Sequence, residues 1–596
     1  MLAAGVLLIV TCGLRIYGQA AATLSGTVYV REEGIAYGTG QPTAPGIANA
    51  IVATDTTTTT SSGTGSYVTS IPAPGWVEVR ASAAGSIPSR LRINPQPGES
   101  ISRSIGLINP SPSVPARPGF VKGALTYDTA QILHYYLPGG FFSTTYARMR
   151  EQLGTNLVAY CDQSFVTAYS TTANTVVMST QHPTISHWRM LNENEYRELV
   201  LEARRNNQQF MLLLCPIAAD PAGQYNADIY NVAPTQTAFW DSWFAAYEPI
   251  VVQYAVIARN LNIEFLALAH NLGYLSRLSA ARWEHLIAAI RATGYQGNLV
   301  YFGFTDPFNM YWESDFYDRA ERAGNPADFM RVFDYIGVSI VNVVPRPSLS
   351  GQLAPAQSRS ALRQAIAATI AKTAAAPVPV LLLAATPSTH GGATENVYIE
   401  PHLTVSNVAN TKTLDLQQQA DVYQAVFEVI SGTPTGRGRV AGLISWGYHL
   451  KDNYDDGFFV GEVAMDKSAN IRSKPAEAVA QWWFDRFSTR PLRAFADTPL
   501  VRGLSVIRSV HVTGLRERVD GVRTNAGLVA YPWSESVAPG GLIRAQHFIE
   551  LRQALNQAYA AAGRRPPTYT DLALQAGMPI KLEHMEELRV AVHAIE

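Results

Sequence analysis

Cysteine is nearly absent: three in 596 residues, one of them, Cys12, inside an apolar N-terminal stretch. That excludes a disulfide-built fold and leaves too few thiols for a metal site, so no metal or other cofactor is expected. Charge is sparse as well. Charged residues make up 16% of the chain and the formal net charge is -1, which removes the electrostatic case for nucleic acid or an anionic membrane surface. Long hydrophobic runs are also missing. The apolar stretch Leu2–Leu14 is too short to span a bilayer, so no membrane span is expected. Followed by small residues to Ala22, it reads as a secretory signal over residues 1–22, although a basic leading region is lacking; Thr11 is a poor neighbour for a lipoprotein signal through Cys12. The expectation is an exported bacterial protein, secreted or held at the cell surface.

What is present is a large hydrophobic fraction, 47%, in a chain long enough for about two to four domains. Residues 24–108 alternate short β-rich runs with Gly, Pro and Thr turns: "LSGTVYV", "AIVATD", "GSYVTSI", "GWVEVRASA", "SISRSIGL". That spacing without helical periodicity predicts a small antiparallel β-sandwich. Its segments "SGTVYV", "IANAIVATD" and "GSYVTSIPAPGWVEVRASAAG" resemble the carboxypeptidase-regulatory-like (transthyretin-like) modules, which implies a spacer or adhesion domain. Residues 109–118, with "PSPSVPARPG", read as a Pro-rich linker.

Residues 119–488 alternate strand and helix patterns eight times. The candidate strands are "FVKGALTYD", "NLVAYCD", "QFMLLLC", "IEFLALAHN", "NLVYFGFTD", "YIGVSIVNVV", "VPVLLLAAT" and "VAGLISWGY". Between them lie amphipathic helices, such as the one with Trp283, Leu286, Ile287 and Ile290 at i, i+3, i+4 and i+7. Eight strand–helix units predict a (β/α)8 TIM barrel; an open doubly wound sheet favours a Gly-rich turn after its first strand, and "TYDTAQ" is not one. Cys161 and Cys215 each end a predicted strand, either as buried small hydrophobes or as a disulfide if the strands are neighbours.

The barrel is similar to the clan A glycoside hydrolases, closest to the β-mannanase-like family 113 group. The resemblance is carried by "NENEYRELVLEARRNNQQFMLLL", "FWDSWFAAYEPIVVQYAVIARNLNIEFLALA", "RWEHLIAAIRATGYQGNLVYFG", "FDYIGVSI", "QQQADVYQAVFEVI" with "AGLISWGY", and "SKPAEAVAQWWFDRF". It implies a glutamate acid/base ending the fourth strand, where this chain has Asn271, and a glutamate nucleophile ending the seventh, where it has Ala384, Ala385 and Thr386. It also implies a tyrosine on the sixth strand, where Asn342 stands, and an aromatic platform on the eighth, kept as Trp446 beside Tyr448 and His449. Retaining hydrolysis needs two carboxyl groups about 5–5.5 Å apart. An amide gives up no proton at neutral pH and a methyl attacks nothing, so the degenerate positions Asn271 and Ala385 predict a barrel without its catalytic pair.

Other carboxylates follow the strands. Asp128, Asp162 and Asp306 lie past the first, second and fifth, and Glu395 lies in the loop after the seventh. An inverting pair tolerates about 6.5–9.5 Å, so relocated chemistry stands beside the plainer reading of these residues as caps and turn-closers. His270 is a candidate relocated base or an interior histidine with a partner. Trp446, with Tyr448, His449, His270 and Asn271, forms the candidate carbohydrate-binding set, against ordinary packing at the barrel top.

After a linker at 489–503, residues 504–596 contain an internal repeat. "IRSVHVTGLR", "IRAQHFIELR" and "IKLEHMEELR" begin at 507, 543 and 580. Matching stripes follow on each: Val512/Leu515/Val519/Val522, Phe548/Leu551/Leu555/Ala558 and Met585/Leu588/Val592/Ile595. Three helices with the same stripe predict one shared core, stable apart from the barrel. His511, His547 and His584 recur at one position. No recurring carboxylate is evident, and a capping or packing role is favoured over zinc. The repeat resembles modules appended to exported proteins of soil and hot-spring bacteria, which implies attachment or assembly.

The sequence thus predicts a multidomain chain: β-sandwich, TIM barrel and small α-helical repeat. Its expected role is non-catalytic, binding a polysaccharide or cell-surface glycan or building an extracellular assembly as a homo-oligomer; the alternative is a hydrolase with relocated carboxylates.

Overall fold

A computed structural model describes residues 20–31, 45–110, 114–126, 141–184, 189–218, 232, 235–268, 280–303, 326–340, 359–389, 414–432, 440–448, 453–455, 460–462, 467–488, 495, 500, 504–575 and 577–596. The described chain falls into two compact units, one ending at Asn109 and the other beginning at Pro110.

The first unit holds eight strands: β1 (Ala22–Arg31), β2 (Ile51–Ala53), β3 (Thr58–Thr60), β4 (Ser66–Ile71), β5 (Val77–Ser82), β6 (Ser89–Ile93), β7 (Ser100–Ser102) and β8 (Ile105–Ile108). They form two four-stranded sheets, one with β1 between β4 and β7/β8, the other ordered β3-β2-β5-β6. The long β1 pairs with β7 along its first half and β8 along its second. Gly26 sits under that step: a Cβ there would lie 1.9 Å from the Arg103 carbonyl oxygen, so only glycine lets the chain cross.

The second unit is built on β9 (Val121–Thr126), β10 (Leu157–Ser170), β11 (Thr175–Ser179), β12 (Gln209–Ala218), β13 (Phe265–Ala267), β14 (Asn298–Gly303), β15 (Tyr335–Ile340), β16 (Val380–Ala384) and β17 (Val440–Ser445). Eight of these, all but β11, are parallel neighbours, and β9 closes on both β10 and β17, giving the predicted barrel. Antiparallel β11 extends β10 past the barrel top as a hairpin. The helices are α1 (Phe141–Arg148), running into a π-turn at Met149–Leu153, then α2 (Glu193–Arg205), α3 (Thr237–Asn260), α4 (Ala280–Ala292), α5 (Pro326–Arg331), α6 (Arg359–Lys372), α7 (Leu416–Gly432) and α8 (Pro475–Phe487). A small hairpin, β18 (Asn453–Asp455) with β19 (Val460–Glu462), precedes α8. In α2 the boundary is chemical: the Asn192 side chain accepts the Asn194 and Glu195 amides at 2.9 and 3.1 Å, and the Glu195 carboxylate accepts the Asn192 amide at 2.8 Å.

The lumen is packed by alternate strand residues, among them Met211, Phe265, Phe302, Tyr335, Leu383 and Ile444. Its glycines make room for the large ones. A Cβ on Gly337 would lie 1.8 Å from the Phe302 ring, and one on Gly442 would lie 2.4 Å from Val121.

Cys161 and Cys215 are both buried in this lumen as thiols, not joined to each other. Register gives the reason: Cys161 lies opposite Leu213, and Cys215 opposite Gln163. A two-residue stagger of about 6.6 Å across strands about 4.8 Å apart separates their Cα atoms by roughly 8 Å, beyond disulfide reach.

Three further helices, α9 (Ser509–Asn525), α10 (Ala545–Ala561) and α11 (Leu582–Ile595), pack pairwise around a core that contains all twelve stripe residues. Two boundaries read from the sequence shift. Phe495 and Leu500, in the expected linker 489–503, belong to the helical core because Arg518 and Arg589 lie over the Phe495 ring at 4.0 and 5.0 Å. Arg117, in the expected linker 109–118, is anchored to the barrel through the carbonyls of Phe487, Ile430 and Val440. The arginine–aromatic contact recurs: Arg516 over Trp533 at 4.7 Å and Arg552 over Tyr569 at 4.9 Å. With Arg589 over Phe495, each helix grips the segment before the next, and the third grips the segment before the first. The set closes on itself instead of extending as an open stack.

Nor does this module stand apart from the barrel. Arg564 donates to the carbonyls of Gly119 and Ala594 at 3.0 and 2.6 Å, Arg565 pairs with Asp334 at 2.5 Å, and Asn262 donates to Thr570 and Glu587 at 3.1 and 3.2 Å. Gly119, Asp334 and Asn262 all precede strands, so the module covers the N-terminal mouth of the barrel, opposite the end where barrel chemistry is placed. The independent stability expected from sequence does not fit this interface: α11 is buried from His584 to Ile595 between the module core and the barrel.

Candidate functional site at the C-terminal end of the barrel

Six of the sequence-derived site residues, Asp128, His270, Asn271, Asp306, Glu395 and His449, lie outside the described residues, as does Asn342. Asp162, Ala385, Trp446 and Tyr448 can be placed.

Asp162 follows lumen-facing Cys161 and therefore faces outward, into the helix layer. Its carboxylate accepts the Gln163 amide at 2.9 Å, the Leu191 amide at 2.8 Å and the Tyr196 hydroxyl. Tyr254 holds the same loop by donating to the Leu191 carbonyl at 3.0 Å. Burial pushes the Asp162 carboxyl up to about 7, against the Tyr196, Leu191 and Gln163 hydrogen bonds that favour its charge. A shifted carboxyl is a common mark of a catalytic acid. Here the geometry decides otherwise, because the group is on the wrong side of the wall to meet a substrate above the lumen. As a relocated catalytic carboxylate Asp162 is therefore corrected to a strut that ties β10 to the start of α2.

Ala385 continues β16 into the lumen and is fully buried. Trp446 continues β17 beside it, its amide donating to the Ala384 carbonyl at 2.8 Å, and its ring is only 2% exposed. The residues over them come from the chain itself. Ser388 donates its amide to the carbonyls of Lys467 and Ser468 at 3.1 Å, Gln419 donates to the carbonyls of Thr386 and Asn470 at 2.9 and 3.2 Å, and Lys474 donates to Ser388 Oγ at 2.9 Å. This stitching lays segment 467–474 across the ends of β16 and β17, and its Ala469 joins the lumen cluster. Trp446 is thus packed under its own chain rather than presented as an open platform.

Tyr448 departs from the strand as well. Gly447 adopts φ 72°, and the Tyr448 hydroxyl donates to the Glu477 carboxylate while accepting from Arg148 Nε at 3.0 Å. Arg148 also pairs with Glu477 at 2.9 Å, and Arg472 lies over the Tyr448 ring at 5.7 Å. Burial, followed by the Glu477 charge, holds the phenol above its ordinary range. Tyr448 is consumed by this network, which locks α1 and α8 to the end of β17. Sequence reasoning missed Arg148 and Glu477. Neither stands out in the pattern, since α1 also carries Ser143, Thr144 and Thr145 and α8 also carries Gln481, Asp485 and Arg486; once buried, each charge must be paired.

The three repeat histidines also find their role. His511, His547 and His584 each accept, through Nδ1, the backbone N–H three residues earlier: from Arg508 at 3.1 Å, and from Arg544 and Lys581 at 3.2 Å. The Nε2 atoms of His547 and His584 lie 3.1 Å from Glu535 and 3.0 Å from Asp571. A carboxylate from the preceding linker thus accompanies two of the three, a partnership the sequence reading did not find. Among the described residues no three His, Cys, Asp or Glu side chains gather in a metal-binding group.

The barrel that these elements build has a family match. Residues 138–332 match the model of Glycoside Hydrolase Family 113. The matched stretch runs from α1 through β14 to α5. Among solved structures, one GH113 β-1,4-mannanase is similar at 20% identity over 61% of this chain and 99% of its own, with a TM-score of 0.42. A GH113 β-mannanase from Alicyclobacillus acidocaldarius, solved with ManMIm, is similar at 18% identity over 62% and 98%, TM-score 0.44. A GH18 chitinase from Pseudoalteromonas aurantia is similar at 11% identity over 55% and 95%, TM-score 0.27. No curated protein matches the sequence.

Proposed function

We propose that this chain is an exported, glycoside-hydrolase-like protein that binds a β-linked polysaccharide of the mannan class without cleaving it. One observation carries the reading: at the end of β16, where the family resemblance calls for a nucleophilic glutamate, the buried methyl of Ala385 packs into the lumen under segment 467–474. A methyl forms no glycosyl intermediate, and loss of the general acid at Asn271 costs about 10²–10⁴ in rate by itself. Asp162, one of the carboxylates that relocated chemistry would call on, faces the helix layer instead. The mannan class is taken from the GH113 mannanases named above, and the cell-surface location from the leader-like stretch 1–22.

Affinity electrophoresis through gels containing mannan, glucomannan or cellulose, run beside a reducing-sugar assay on the same polymers, tests this. Retardation without sugar release is expected. Turnover that Asp306→Asn abolishes overturns the non-catalytic reading, and neither retardation nor turnover on any polymer overturns glycan binding.

A further inference from the structure

His593 lies on α11, fully buried where the helical module meets the barrel mouth. Arg150, from the π-turn before β10, places Nη2 at 3.2 Å from its Nδ1 and 3.3 Å from its Nε2. Arg518, from α9, places Nη2 at 3.2 Å from Nδ1. A guanidinium only donates, so the imidazole must accept, and an imidazolium has no lone pair to accept with. The Glu596 carboxylate is 3.6 Å from Nδ1 and is already held by Arg518 through both oxygens. The Phe495 ring meets the imidazole edge-on at 5.1 Å. Lys122 of β9 and Arg589 of α11 add positive potential, while Asp485 of α8 faces Lys122 and Arg150.

We propose that the helical module is an acid-released clasp on the N-terminal mouth of the barrel, with His593 as its sensor and Glu586 as the counterweight that sets its threshold. Docked, His593 sits among cations and stays neutral; undocked, it meets water and takes a proton at its ordinary value. Burial, then Arg150 and Arg518, hold it well below 6.5. A group depressed in this way leaves docking intact above 6.5 and weakens it about ten-fold for each pH unit below. Lys122, lowered by burial from 10.5 to about 7, exerts its own effect on docking between those two values, and below 7 it stands as a fixed cation near His593.

Glu586, two turns earlier on α11, is buried where that helix packs against α2, the helix of Arg204 and Arg205, and it titrates the other way. Burial raises it from 4.5 to about 7, opposed by Arg204, with Glu583 adding to the rise and Arg205 and Arg589 opposing it. A carboxyl raised in the docked state takes up its proton more readily there, so between about 7 and 4.5 it strengthens docking as pH falls. The two effects offset each other down to about 4.5, and only below that does the histidine act alone. Glu264 is also raised by burial, but it lies within the barrel, accepting the Phe210 amide at 2.9 Å.

Hydrogen–deuterium exchange on the full chain, stepped from neutral to about pH 4 and corrected for intrinsic rates, reads the clasp through peptides over 582–596, with β16 peptides as the internal standard. Wild type is expected to keep its protection to about pH 4.5, and Glu586→Gln to lose it about two units higher. Adding His593→Asn to Glu586→Gln is expected to restore protection across that window. If Glu586→Gln follows the wild-type profile, or the double variant still releases, the clasp fails. Should the double variant not fold, Glu586→Gln with Arg150→Met removes one facing cation and must move release to lower pH; an unmoved threshold overturns the role of His593.

Discussion

Cys161 and Asp162 are chain neighbours on opposite sides of the barrel wall, the thiol in the lumen and the carboxylate bonded to Tyr196 of α2. One residue of strand parity separates a group that could meet a substrate from one that holds a helix. Asp162→Asn keeps the shape but loses acceptor capacity, and the expected cost is about 1–3 kcal/mol in chemical denaturation, with glycan retardation unchanged. The pH dependence has a definite sign. Because the folded carboxyl is raised from 3.8 to about 7, its contribution is largest in acid and declines as pH rises through that window. Asp162→Asn should flatten this slope, and a loss of glycan binding without a loss of stability would return Asp162 to the site.

The buried Ala385 makes restoration of catalysis difficult. Asn271→Glu with Ala385→Glu places a carboxylate in a packed apolar lumen beside Trp446 and under Ala469. Burying even a neutral polar group unpaired costs about 2–7 kcal/mol by transfer, and an ionised carboxylate costs far more unless it takes up a proton. The expected result is a lowered melting temperature and no release of reducing sugar from mannan. A stable double variant with measurable turnover would mean that segment 467–474 yields more readily than its hydrogen bonds imply.

Gly337 gives a test of lumen packing that is independent of any ligand. An alanine methyl there meets the Phe302 ring at 1.8 Å, and Phe302 is itself enclosed. Gly337→Ala should cost about 1–3 kcal/mol or more by overpacking. Phe302→Leu combined with it should recover part of that loss in urea titration, and additive losses in the double variant would mean that the two positions do not share the space.

The eight barrel strands were legible because parallel strands covered on both faces read as plain apolar runs, β16 being buried throughout. The same uniformity hides parity, so the sequence leaves Asp162 open between a relocated carboxylate and a turn-closer, and its place in the wall decides for the second. In the first unit, β6 was missed although its pattern alternates: Ser89, Leu91 and Ile93 are buried, while Arg90 and Arg92 break the hydrophobic run. The hairpin beyond Asp162 was missed because Asp162, Gln163 and Ser164 interrupt the apolar run that marks the strand before them. The largest gap lies in α11. Glu586, Glu587 and His593 look like a solvated face, and they are buried because a second polar surface, at the barrel mouth, meets them. A sequence pattern marks a helix face as polar. It does not say whether water or protein satisfies it.

That polar interface governs the last prediction. Removing residues 504–596 uncovers Arg150 and Lys122, which are buried beside α11 and tuned by it, together with Asn262 and Asp334, which lose their partners Glu587 and Arg565. It also frees the Gly119 carbonyl, at the entry to β9, from Arg564. Each lost pairing is modest, about 0.5–1.5 kcal/mol for an ordinary hydrogen bond, and together they are comparable to the marginal stability of a domain. The truncated barrel should therefore stay folded but unfold at lower denaturant than the full chain, and at neutral pH, where the module is docked, barrel and module of the full chain should melt as one cooperative transition. Calorimetry of both chains checks this, with the transition assigned through Trp483 and Trp533, one in the barrel helices and one in the module. A truncated barrel that melts at the full-length temperature would show the interface to be decorative, and the clasp on His593 would then have nothing to release.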